Sequence, residues 1–265
     1  MQVQSGASAI FQARFLFFYN FTSYTNTLQA MLTQNVTFLP SVVGVMLFMI
    51  GTAVGQQQIS NGGFEAWEEI RSGVEEPVSW NSIKNTDGSG VNKSLAPTVW
   101  ERSETARSGK YSVRLTNKSV IGIVANGMLT NCAIHGEKDK TKSFVYTDDS
   151  KAGFSAPFVS RPDSVTGWYI YTPSEKDSAM VVVLLHDGKV TLPDKGTKSN
   201  WVGGVKLMLG ATPPNTWTRF SVPIPYFKKS APKYMIVVLS SGNRMKAVEG
   251  SVAYFDDLKL VYNQH

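Results

Sequence analysis

Apolar and polar residues alternate with a period of two in several short stretches of this chain. In Tyr111-Ser-Val-Arg-Leu115, the residues Tyr111, Val113 and Leu115 fall on one face and Ser112 and Arg114 on the other. Thr218-Arg-Phe-Ser-Val-Pro-Ile224 likewise groups Phe220, Val222 and Ile224. Successive side chains of a strand point to opposite faces, so this pattern predicts half-buried strands. Val165–Tyr171, Trp201–Leu209 and Tyr254–Val261 read as further strands. Turn-forming clusters separate them, among them Asp187-Gly188, Pro193-Asp-Lys-Gly196, Pro213-Pro-Asn215 and Ser240-Ser-Gly-Asn243. No stretch holds a 3.6-residue apolar period over a dozen positions, so helices are expected to be short. About ten short strands in one domain predict an all-β, jelly-roll-like β-sandwich.

Two strands depart from the alternation. Ala179-Met-Val-Val-Val-Leu-Leu185 and Tyr234-Met-Ile-Val-Val-Leu239 are apolar on both faces, which predicts central strands covered on each side. The stretch 117–160, which carries Phe144, Tyr146, Phe154 and Phe158, is expected to lie over the outer face. At the end of the chain, Tyr254-Phe-Asp-Asp-Leu-Lys-Leu260 is read by parity: Asp256 shares a face with Leu258 and Leu260, and Asp257 shares the other with Lys259. An inward carboxylate is costly unless it is paired, hydrogen-bonded or metal-bound.

The first 55 residues stand apart from this pattern. Arg14 is their only charge, and residues 38–54 form an almost wholly apolar run closed by the small residues Ala53-Val54-Gly55. The run is short for a membrane span, which needs roughly 20 apolar residues. It reads as a signal peptide, with an uncleaved N-terminal anchor as the alternative, and Met31 offers a second start. The expected organisation is a leader over 1–55 and one sandwich domain over 56–265, exported to the periplasm or the outer-membrane surface. The formal charge of +6 falls by one without the leader. Its Lys and Arg residues are scattered rather than striped among stacking aromatics, which argues against nucleic acid as a partner. Cys132 is the only cysteine, so no intramolecular disulfide forms, and it is expected to be a small packed residue.

Taken in order, the pieces Asn61-Gly-Gly-Phe-Glu-Ala-Trp67, Pro77-Val-Ser-Trp80-Asn81, Ser108–Leu115, Thr166–Tyr171, Asp177–Val183, Trp217–Tyr226, Leu239-Ser-Ser241 and Gly250–Leu258 resemble the putative carbohydrate metabolism domain family. This is a group of secreted Bacteroidetes-type β-sandwich domains similar to carbohydrate-binding modules. The resemblance implies an exported jelly roll linked to polysaccharide use, whose partners are an oligo- or polysaccharide and other cell-surface proteins of such a system. It brings no catalytic motif with it. The sugar-binding modules often hold calcium with a carboxylate pair near their ends, so Glu65 and Asp256 are expected to share a structural Ca²⁺, completed by backbone carbonyls and water.

Three functions from different classes follow. The favoured one is non-catalytic glycan recognition. Flat aromatic faces pack on the C–H faces of sugar rings, and Trp80, Asn81, Trp100 and Trp201 lie beside polar loops, so these four are the expected ligand-binding residues. A glycoside hydrolase would need two carboxylates, for which Glu101, Glu104, Asp163, Asp177 and Asp187 are available, each read first as a solvated loop charge. Glu68/Glu69 and Glu75/Glu76 read as surface charges on a short helix or turn. The third function is a structural or adhesin subunit that contacts proteins only. No catalytic residue is assigned: His186 reads as a polar strand end, and neither a Gly-x-Ser-x-Gly elbow nor metal-ligand histidine spacing is present.

Overall fold

The computed structural model describes residues 56–87 and 96–263. The leader expected over 1–55 lies outside the described residues. Strands dominate the remainder: β1 (Trp67–Arg71), β2 (Val74–Pro77), β3 (Trp100–Ser103), β4 (Ser112–Thr116), β5 (Lys118–Val120) and β6 (Ile123–Ala125) come first. β7 (Met128–Thr130), β8 (Ala133–His135), β9 (Phe144–Tyr146) and β10 (Ser164–Thr172) follow. The chain continues through β11 (Ala179–His186), β12 (Thr191–Leu192), β13 (Trp201–Leu209), β14 (Thr218–Pro223), β15 (Tyr234–Ser240) and β16 (Val252–Val261). Among the described residues the helical segments are three short 3₁₀ turns, as the missing 3.6-residue period predicts.

Two antiparallel sheets form a jelly-roll-like β-sandwich. One has the order β14-β10-β16-β4-β3 and the other β13-β11-β15-β7. Their facing sides meet in the main core. Val113, Leu115, Tyr171 and Phe255 of the first sheet pack with Val181, Val183, Leu185, Val237 and Leu239 of the second, and all of these are buried. Close-packed burial of this kind is the main stabilising term, about 25 cal/mol per Å² of apolar surface.

The doubly apolar strands β11 and β15 do form the centre of their sheet, and their outer side is covered as the pattern implies. Leu184, Ile236 and Val238 pack there against Cys132, Ile134 and Val145 in a second, smaller core. The cover is a three-stranded sheet, β12-β9-β8, drawn largely from the stretch 117–160. Cys132 is buried, and burial raises its thiol to about 12, so it packs as a neutral residue.

The two ends of the domain are joined. Gln58 brackets Leu260 with both polar atoms of its amide, accepting from Leu260 N at 2.8 Å and donating to Leu260 O at 2.9 Å. Leu258 N donates to Gly62 O at 2.8 Å. A side chain at Gly62 would lie 2.3 Å from Leu258 O, so only glycine allows this approach.

Parity fails in the last strand. Thr166 pairs with Lys259 but Trp168 pairs with Asp256, so β16 carries one extra residue there, and Asp257 sits at φ +50°. This is a β-bulge, and it reverses the facing of the strand. Ala253 and Phe255 point into the core before it, Leu258 and Leu260 after it. Asp256 therefore shares the face of Trp168, not that of Leu258, which corrects the parity reading. It is buried because the loop 107–111 covers it.

Candidate functional site

Among the described residues, the cover over the outer face of β13-β11-β15-β7 is incomplete. Beside β8 and β9 it leaves a cavity of about 730 Å³, within the usual range of ligand pockets. Its floor is the outward-facing set Met180, Val182 and Val238, with Met128 from the edge strand β7. Trp201 and Phe227 stand on one side with ring centroids 6.5 Å apart, and the β5–β6 hairpin stands over the floor with Ile121 and Ile123. The rim carries Lys138, Lys140, Lys206 and Arg244 against Glu137 and Asp194.

Two polar atoms on residues of this wall have no hydrogen-bond partner although they are inaccessible to solvent: the indole Nε1 of Trp201 and the amide Oδ1 of Asn126. Buried polar groups are satisfied in the large majority of cases, so an orphan donor and an orphan acceptor in one wall call for an explanation. The hairpin tip is unusual too. Ile121 adopts φ +50°, a left-handed conformation that β-branched residues rarely take, and it leaves 78% of its side chain exposed. Neither the fold nor burial requires isoleucine there.

Of the four expected ligand-binding residues, the structure brings one to the cavity. Trp201 lines it. Trp80 and Trp100 are corrections: each is only 3% exposed and belongs to the main core. Trp80 packs on Phe64 at 5.2 Å, and Trp100 Nε1 donates to Glu75 O at 2.8 Å. A large ring with one satisfied N–H is well suited to filling the space between sheets, and proximity to polar loops in sequence does not reveal it. Asn81 is buried as well. Its backbone pairs with Thr130 and its Nδ2 donates to Gly153 O at 2.7 Å, which makes it a strut between loops.

The expected calcium pair is held in another way. Glu65 accepts from the backbone N–H groups of Lys110 and Tyr111 at 3.0–3.1 Å. Asp256 Oδ2 accepts from Arg107 N at 2.7 Å and Ser108 N at 3.3 Å, and its Oδ1 from Asp257 N at 2.7 Å. Both carboxylates thus brace one loop, and every carboxylate oxygen faces N–H dipoles. A cation needs those lone pairs and would meet the positive ends of the dipoles, so the donor set does not fit a shared calcium ion. Among the described residues no group of three or more His, Cys, Asp or Glu side chains is placed to hold a metal.

The remaining carboxylates proposed for hydrolysis lie away from the cavity. Glu101 pairs with Arg114. Asp187 pairs with Lys228 at 2.9 Å. Asp177 is the hub of a buried network: it accepts from Asn117 Nδ2, Ser178 N, Asn243 N, Val248 N and Ser251 Oγ, all at 2.8–2.9 Å. This hub fixes the loop that carries Arg244. His186 is buried with Nδ1 on Gly188 O and Nε2 on Thr147 Oγ1, and burial lowers its pKa, so it is a structural neutral imidazole.

Glu76 is a further correction. It lies in the β1–β2 hairpin, yet it is 1% exposed. Ser82 Oγ donates to one oxygen and Asn85 Nδ2 to the other at 2.6 Å. Burial outweighs these bonds and raises its pKa to about 7. It buttresses the turn Ile83–Asn85, whose Ile83 packs against the outer-face core.

No family model and no curated protein matches the sequence. Solved structures do show likeness. A putative glycoside hydrolase from Bacteroides thetaiotaomicron aligns with a TM-score of 0.49 and 15% identity over 63% of this chain, which spans 57% of that protein. A family 11 carbohydrate-binding module from Clostridium thermocellum, solved with a mixed-linked tetrasaccharide, aligns at 0.35 with 8% identity, covering 76% of this chain and 96% of the module. The K1 cleaved adhesin domain of Lys-gingipain from Porphyromonas gingivalis aligns at 0.39 with 12% identity, covering 78% and 98%. At such scores the likeness says nothing about what this chain binds.

Proposed function

We propose that this protein is a non-catalytic glycan-binding sandwich, exported to the periplasm or cell surface, that holds its ligand in the cavity on the outer face of β13-β11-β15-β7. The observation that carries the reading is the wall at Trp201. There an aromatic side chain stands beside an apolar floor, under a rim that carries Lys138, Lys140, Lys206 and Arg244. A sugar ring has an apolar C–H face and a rim of hydroxyls that both donate and accept. Its apolar face can therefore cover the floor beside Trp201 while its hydroxyls meet the polar rim.

The rim acids support binding rather than hydrolysis. Asp194 accepts from Thr197 N at 2.7 Å and Thr197 Oγ1 at 2.9 Å, and the Thr197 backbone bond foremost holds its carboxyl below the usual range. It stays ionised and is a poor proton donor. Glu137 faces His135 Nε2 at 3.4 Å. The test is a glycan array run with product analysis on the same samples. Binding without new reducing ends, lost in Trp201→Ala, is the expected result. Reducing-end release identifies a hydrolase instead, and silence in both assays leaves a structural or adhesin role.

A further inference from the structure

The rim of the cavity is unbalanced in charge, and the imbalance lies in which groups already have partners. Of the two acids, Asp194 is held by Thr197, and Glu137 stands 3.4 Å from His135 Nε2. Among the described residues neither Arg244 nor Lys140 has a carboxylate within ion-pair distance. Arg244 is half-buried, and its Nη2 donates only to carbonyls, Ser143 O at 3.0 Å and Lys140 O at 3.4 Å. It sits at φ +41°, next to Asn243, whose N–H donates to Asp177 Oδ1 at 2.8 Å. Burial lowers the pKa of both Arg244 and Lys140, the mark of cations that have lost water and gained no counter-charge. An unpaired, partly desolvated guanidinium is costly, and a bidentate carboxylate is its natural complement.

Resting on the reading of this cavity as the ligand site, we infer that it selects a ligand bearing an anionic group, which Arg244 and Lys140 engage while an apolar face of the ligand covers Met180 and Val182. The shared chemistry is a carboxylate beside an apolar face. A uronic-acid sugar supplies it, and so does an alkyl carboxylate.

Two matched pairs of probes separate these sources by titration calorimetry on the purified domain. One pair is a β-1,4-linked glucuronate tetrasaccharide and the glucose tetrasaccharide of the same linkage. The other is decanoate and decanol. The inference expects the acid to bind at least about tenfold more tightly than its neutral partner in one pair, as a charge-assisted hydrogen bond provides. Lys140→Gln and Arg244→Gln should each reduce that preference, and Arg244→Lys should retain part of it. Among the described residues the Lys140 ammonium has no ion-pair partner, so its variant reports on the ligand even if Arg244→Gln melts early. Preference in the sugar pair supports the inference and the glycan reading together. Preference confined to decanoate supports the anion site and contradicts the glycan reading. Equal binding of acid and neutral sugar overturns the inference and leaves glycan binding standing; no binding by any probe overturns the inference.

Discussion

The two faces of the sheet β13-β11-β15-β7 are built from the same kinds of residue and end differently. The inner face, with Val181, Val183, Leu185, Val237 and Leu239, is sealed against the second large sheet. The outer face, with Met180, Val182, Leu184 and Val238, is covered in part by a three-stranded sheet, and among the described residues the rest lines a cavity. An apolar strand face shows that something covers it. It does not show whether the cover is more of the same chain or a ligand. Here the described residues supply part of it, and the unpaired cations Arg244 and Lys140 line the part they leave open.

The comparison is broken most severely at the buried network that anchors the rim. Asp177→Ala leaves five donors without their acceptor, so a loss on the order of 4 kcal/mol is expected in chemical denaturation, with ligand binding lost even in the folded fraction because the Arg244 loop is released. The two faces can then be set against each other directly. Leu185→Ala on the inner face should cost about 2–5 kcal/mol, whereas Val182→Ala on the open floor should cost about 1 kcal/mol or less, since the floor is already short of neighbours. Equal costs would mean that the outer face is as well packed as the inner.

A pH titration sharpens the contrast further. The Glu76 carboxyl titrates near 4.5 when unfolded and at about 7 in the fold. Between those values the native state holds a proton that the unfolded chain has lost, so the Glu76 contribution falls as pH rises through that window, by up to roughly 3 kcal/mol. Asp256, raised by burial from 3.8 to about 6, acts in the same sense. The buried His186 acts in the opposite sense, losing stability as pH falls through 6.5. The difference between wild type and Glu76→Gln isolates the glutamate: the variant should be the more stable at pH 8 and the two should converge near pH 4.5. The smallest effect is expected from metal. Melts in millimolar calcium and in chelator should give the same midpoint, because peptide N–H groups already occupy the Glu65 and Asp256 oxygens.

Much of the fold was legible in local pattern. Alternation located β4 and β14, and the doubly apolar β11 and β15 announced both their central place and the need for a cover. The bulge was legible in principle: core positions shift from Ala253 and Phe255 to Leu258 and Leu260, a change from odd to even that a single-parity reading passes over. Glu76 was not legible, because its burial depends on Ser82 and Asn85 folding back over the hairpin. Of the residues chosen for their polar neighbours, Trp201 lines the outer-face cavity, whereas Trp80 and Trp100 lie in the core, because their surroundings are decided by distant strands. Phe227, Arg244 and Asn126 join Trp201 only through the topology.

The most direct test of the central claim is to fill the cavity from its floor. Val182→Trp places a bulky ring on the outer face of β11 and leaves the inner face untouched. Calorimetric titration of this variant with the glycan selected on the array should show at least about a tenfold loss of affinity, with a melting midpoint within a few degrees of wild type. Unchanged affinity in a folded Val182→Trp protein would contradict the account, because the ligand would then bind elsewhere.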